Sequence, residues 1–231
     1  MQWPDITSAK KLFPRLDESE MGTPSFSISQ PAWHILQPNG DNCLKMQLLA
    51  LLDHCKGQES LDISTCSATF DDSNGMIFID PTAIIGPSAH IIGPCYIGAN
   101  AQIRHAAYIR QNSWICRDAV VGHCSEVKHS ILLPGAKAPH FNYVGDSILG
   151  SAVNLGAGVK LSNLRNDGGE VFTRWNDERL GTGLRKFGAI LGEGCQLGCN
   201  SVTNPGVVLG PNSMVSPNST ITGIHQTSKH S

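Results

Sequence analysis

Hydrophobic positions between residues 79 and 133 recur at a period that suits neither a helix nor an alternating strand. Ile79, Ile85, Ile91, Ile97, Ile103, Ile109, Ile115, Val121, Val127 and Leu133 stand six apart without a gap, whereas a helix repeats every ~3.6 residues and a half-buried strand every ~2. Four residues after each of the first eight comes a small one: Ala83, Ala89, Cys95, Ala101, Ala107, Ser113, Ala119 and Ser125. Each repeat therefore pairs one large inward residue with one small one. The phase resumes as Leu149, Leu155 and Leu161, and again as Leu191, Leu197, Thr203, Leu209, Val215 and Ile221.

This pattern resembles the hexapeptide-repeat family, and the resemblance implies an all-β fold, a single-stranded left-handed parallel β-helix in which three repeats make one coil. Aliphatics then fill a triangular prism, small residues and glycines such as Gly86, Gly93, Gly98 and Gly122 take its corners, and coils pair through the backbone about 4.8 Å apart. Residues three repeats apart stack on one face. The sixteen residues from Leu133 to Leu149 are not a multiple of six, so part of Pro134 to Tyr143 is expected to bulge from the prism as a loop. A polar tract from Arg165 to Arg185 reads as a second loop. The first 75 residues differ in character, with Pro4, Pro14, Pro24 and Pro31 and one helix expected over Asn42 to Cys55. They read as a small, partly helical appendage over the open first coil, or as a partly disordered tail over residues 1–30. The organisation expected is an appendage at 1–75, a β-helix at 76–224 and a tail at 225–231.

Charge narrows the partners. With 17 basic residues against 19 acidic ones and no Lys/Arg block, nothing resembles the basic footprint of a nucleic-acid or anionic-membrane binder. Small molecules or further copies of the chain remain. The first twenty residues carry charges throughout, and no segment reaches the apolar length of a membrane span, so a cytoplasmic location is expected. Eight cysteines without a C-x-x-C pair read as reduced thiols.

Arg110 and Lys128 each follow an inward aliphatic by one position and fall one coil apart, so their side chains stack outward on one face. Like charges at a strand spacing repel unless an anion lies between them, which points to phosphate. His140, with Tyr143 and Asp146 nearby, stands in the expected excursion, where a general base would be carried.

The run "EVKHSILLPGAKAPHFNYVGDS" followed by "LGSAVNLGAG" resembles the acetyltransferase domain of the bacterial bifunctional enzymes that acetylate glucosamine-1-phosphate in UDP-N-acetylglucosamine synthesis. The resemblance covers roughly residues 79–223. It implies acetyl-CoA as co-substrate, with no metal, and His140 as the base that deprotonates the sugar amine. Arg110 and Lys128 match the phosphate pair, Tyr143 and Asn154 the sugar contacts, and Lys186 a lysine serving a neighbouring subunit's substrate in a homotrimer. Ala157, Asn163 and Cys199 fall at acetyl-CoA positions, with Leu164 and Cys199 standing where the family has tyrosine and serine. Residues 1–75 hold no glycine-rich phosphate loop, so nucleotidyl transfer is not expected of them.

Three alternatives share these residues: a non-catalytic trimer binding a sugar nucleotide or a partner, an acyltransferase on another amino sugar or a UDP-sugar, and a zinc enzyme like the γ-class carbonic anhydrases built on His105, His123 and His129.

Overall fold

The structure, a computed structural model, describes residues 3–227 and the backbone of residues 229–230. Three parallel sheets of eight short strands each run along a solenoid, the left-handed parallel β-helix expected from the repeat. Within a coil the chain visits them in turn. Face I includes Glu126–Lys128 and Tyr143–Gly145, face II Ser130–Leu132 and Ile148–Leu149, face III Lys137–His140 and Asn154–Leu155. Inward residues such as Ile91, Ile97, Ile103, Ile109 and Ile115 have no solvent exposure and form one core along the axis. Strands this short hold only because each coil is paired above and below and each buried aliphatic contributes about 1.5 to 3 kcal/mol.

The expected loop at 134–143 is not there. Lys137–His140 is a strand paired with Val120–His123, and Tyr143–Gly145 pairs with Glu126–Lys128. The phase break lies instead at the corner between faces I and II. Residues Gln111 and Asn112 turn that corner in one coil, whereas His129 alone and Asp146 alone turn it in the next two, as the pairings Ser113↔Ser130 and Ile131↔Ile148 require. Leu132 rather than Leu133 therefore points into the prism, and Leu133 faces out. Buried serines close the shortened corners: Ser130 Oγ donates to the Lys128 carbonyl and Ser147 Oγ to the Gly145 carbonyl, each at 2.8 Å. His129 and Asp146 both adopt left-handed backbone there, with φ of 44° and 47°, a conformation that Asp and His tolerate better than most residues.

Residues 61–71 of the appendage do close the first coil: Leu61, Ala68 and Phe70 pack against the end of the prism core, the Leu61 N–H bonds the Ile79 carbonyl at 2.8 Å, and Thr69–Asp71 pairs with His90–Ile92. The bulk of the appendage does not. It lies along face II, whose outward positions form a ladder of Phe78, Tyr96, Trp114, Ile131, Ile148, Ile190, Val208 and Ile224. Eight apolar side chains on one flank must be covered, and covering them buries far more surface than closing one end. Leu12, Phe13, Trp33, Leu36 and the helix Leu44–His54 pack on this ladder as a second core, and Trp114 Nε1 donates to the Gly22 carbonyl at 2.7 Å. Within the described residues 3–30, Leu12 and Phe13 are buried, which replaces the disordered-tail expectation.

The tract at 165–185 is no plain loop either. Phe172–Trp175 and Glu178–Gly181 form an antiparallel hairpin, in which Leu180 is buried, while Val171 and Leu184 join the second core. Arg179 lies 3.8 Å over the Phe172 ring. At the end of the chain, Ile224–His225 closes face II and the backbone of 229–230 pairs with Met214–Val215; residues 228 and 231 lie outside the described residues.

Candidate active site

Face I carries the residues expected on the acceptor side. Arg110, Lys128 and Gly145 occupy one outward column, since Lys128 pairs with Gly145 and the Arg110 N–H bonds the Val127 carbonyl. Neither cation relies on an external anion. Arg110 Nη1 lies 2.8 Å from Glu126 Oε1, and Lys128 Nζ lies 2.8 Å from Asp146 Oδ2. The expectation of two bare stacked cations thus needs correcting: the coil arithmetic was right about the column and blind to the carboxylates beside it. Asp146 is almost wholly buried and also accepts from Asn163 Nδ2. Tyr143 OH in turn donates to Asn163 Oδ1 at 3.4 Å.

Gly145 permits this arrangement, because a Cβ there would stand 2.6 Å from Tyr143 OH and 2.7 Å from Asn163 Nδ2. Burial pushes the Tyr143 hydroxyl above its ordinary range, so it stays a donor at neutral pH. The hydrogen bond that Arg110 donates to Glu126 raises the already high Arg110 value. Burial lowers the His129 value, and a neutral ring donates from Nε2 to the Leu36 carbonyl at 3.2 Å. A cavity of about 540 Å³ opens at this corner, walled by Lys128, His129 and Asp146, by Leu36 of the appendage and by Lys186.

His140 stands at the opposite edge of face I, where face III turns into it. Its ring is exposed, and its backbone is fixed by Asn142, whose Oδ1 accepts the His140 N–H at 3.0 Å while its amide donates to the Gly156 carbonyl at 2.8 Å. Ala157 and Cys199 continue this corner along the axis: Gly158 N donates to the His140 carbonyl at 3.0 Å and Asn200 N to the Ala157 carbonyl at 2.8 Å. The width of face I, about 10 Å for three strand residues, separates the two edges, with Tyr143 between them.

Not all the expected site residues converge. Asn163 belongs to the hydrogen-bond network around Asp146 and not to the Ala157–Cys199 column. Asn154, in register with Lys137 and Gln196, projects from face III. Lys186 shares its cavity with Lys128 of the same chain. Sequence reasoning left Glu126 and Asn142 unassigned and placed His129 only in the zinc alternative; the spacing of Glu126 two residues before Lys128 was the available signal for the first. The zinc arrangement fails on geometry: His105 and His123 stack at 4.0 Å, but His129 lies at the other edge of face I bound to Leu36. Among the described residues no group of three or more His, Cys, Asp or Glu side chains is arranged to hold a metal ion, and no helix is long and apolar enough to cross a membrane.

Comparison with known proteins fits this architecture. The family described as GMPPB C-terminal domain matches residues 91–222, more than half of the chain, and the chain belongs to that family. The chain is 40% identical over 112 residues to a bifunctional protein GlmU of Methanococcus vannielii, covering 48% of this chain and 27% of that protein. Over 147 residues it is 35% identical to a bifunctional sugar-1-phosphate nucleotidylyltransferase/acetyltransferase of Sulfurisphaera tokodaii, covering 64% and 37% respectively. The matches thus span 27% to 37% of the length of these relatives. Among solved structures, the polysialic acid O-acetyltransferase OatWY is 16% identical with a TM-score of 0.32, covering 68% of this chain and 80% of that one, too loose a likeness to bear on function. The relatives bear out the hexapeptide-repeat acyltransferase resemblance drawn from the motif.

Proposed function

We propose that the chain is an acetyl-CoA-dependent N-acetyltransferase acting on an amino-sugar phosphate such as glucosamine-1-phosphate, in the supply of UDP-N-acetylglucosamine-type precursors. The observation that carries this reading is the division of face I into a cationic edge at Arg110 and Lys128 and an exposed histidine at the other edge. The phosphate sits against Lys128 and Arg110, Tyr143 and Asn163 fix the sugar, and the amine points toward His140. The amine nitrogen attacks the thioester carbonyl carbon, His140 takes the proton that the nitrogen loses, the C–S bond breaks and the departing thiolate is protonated to free coenzyme A. The acyl donor runs along the Ala157–Cys199 corner. Cytoplasmic location and a homotrimer, in which Asn154 faces a neighbouring copy, belong to the same proposal.

Free-thiol release from acetyl-CoA against a panel of amino-sugar phosphates tests it: turnover that requires both an amine and a phosphate on the acceptor is the expected result, and no release with any acceptor would refute it. A second reading, a trimer that binds a sugar nucleotide without catalysis, draws on the carboxylates that already pair Arg110 and Lys128; tight acceptor binding without thiol release would favour it.

A further inference from the structure

The cavity beside Lys128 holds more positive charge than one phosphate monoester calls for. Lys45 of the appendage helix, Arg185 at the end of the inserted polar tract and Lys186 just beyond it line it together with Lys128. Lys128 is paired with Asp146, but Lys45, Arg185 and Lys186 make no ion pair among the described residues. Arg185 donates its Nε–H to the Gly168 carbonyl at 3.1 Å. Asp146, the one carboxylate among the lining residues, is taken up by Lys128, so the other three cations leave the concavity with a net positive charge that favours an anion. Leu36, Pro38 and Leu184 give the same cavity an apolar wall, and at about 540 Å³ it lies within the usual range for small-molecule sites of roughly 300 to 1,000 Å³.

Its place in the coil matters as much as its charge. His140 is at the far edge of face I, so a sugar whose amine meets His140 and whose phosphate meets Lys128 points the other side of that phosphate into the cavity. We infer that the acceptor is an amino sugar carrying a diphosphate ester, a nucleoside-diphosphate amino sugar, with its outer phosphate held by Lys45, Arg185 and Lys186 and its nucleoside against the Leu36–Leu184 wall. This inference rests on the acetyltransferase reading for the orientation of the ligand, while the anion site stands on the cavity alone. The appendage and the insertion then have a common role: each contributes cations to a site that the solenoid by itself does not complete.

Calorimetric titration of the full chain with inorganic phosphate and with pyrophosphate tests the site directly. Pyrophosphate is expected to bind at least about tenfold tighter. Lys45→Ala and Arg185→Ala are each expected to weaken pyrophosphate about fivefold or more, in line with hydrogen bonds to charged groups. Lys10→Ala, an exposed lysine of the appendage remote from the cavity, should change neither. Equal affinity for the two probes, or an equal loss with Lys10→Ala, would overturn the inference. Thiol release separates it from the broader reading. Acetylation of an amino-sugar monophosphate as efficient as that of its nucleoside-diphosphate form overturns the diphosphate inference and upholds the acetyltransferase. Pyrophosphate binding that depends on Lys45 and Arg185, without release on any acceptor, upholds the anion site and overturns the acetyltransferase.

Discussion

At the scale of single residues, the site depends on groups that hold one another. Asp146 binds Lys128 and Asn163, and Asn163 binds Tyr143, so the acceptor side is one connected network on the rung where Gly145 leaves room for it. Lys128→Ala should weaken acceptor binding by about 1.5 to 3 kcal/mol, read by titration calorimetry, and should also lower stability, because it leaves the buried Asp146 carboxylate with Asn163 alone; unchanged affinity in the folded variant would remove Lys128 from the phosphate site. Asp146→Ala should do more harm to the fold, because it strands a largely buried ammonium and an amide together. A loss of about 1 to 3 kcal/mol in denaturant unfolding is expected, and none would mean that Asp146 is dispensable to the corner. The carboxylates beside the two cations were the part of the site hardest to read in advance: repeat arithmetic stacks residues a coil apart, but says nothing of which neighbour reaches across a corner.

Among elements, the shortened corner and the ladder on face II explain most of what the sequence conceals. The six-residue period made the prism legible residue by residue, and the break in phase showed that something changes near the motif. It did not show where the missing residues fall, because Leu132 and Leu133 are both apolar and either satisfies the count; the serines that close corners at Ser130 and Ser147 decide it. The ladder was legible in principle, since triplets such as Ile77-Phe78-Ile79 and Ala189-Ile190-Leu191 are apolar on both sides of the strand, the mark of a face covered from outside. Trp114→Ala should therefore cost about 3 to 5 kcal/mol and expose the appendage to limited proteolysis while the parallel coils persist; unchanged protection would contradict its role as a docking surface.

The His129 corner adds a pH dependence. Its value is lowered on folding by burial, against the weaker opposing pull of Asp146, so the unfolded chain binds the proton more readily. Stability from this residue is complete above the unfolded value of about 6.5 and declines as pH falls from there toward the folded value. Melting temperatures of His129→Gln should show a shallower decline than the wild type just below that point, and parallel curves would place His129 outside the acid response.

For the whole molecule, the appendage covers face II while faces I and III stay open, which is the surface a homotrimer with sites between chains would use. Sedimentation should show a trimer at micromolar concentration, and a monomer would remove Asn154 from any shared site. The division of face I between a phosphate edge and a histidine edge is the account's central claim, and turnover of His140→Ala tests it most directly. With affinity for the acceptor measured alongside, turnover should fall by roughly 10²- to 10⁴-fold with binding nearly unchanged, and the deficit should narrow between roughly pH 6 and 9 as the amine loses its proton to solvent. A variant as active as the wild type near neutral pH would contradict the assignment of His140 as the base.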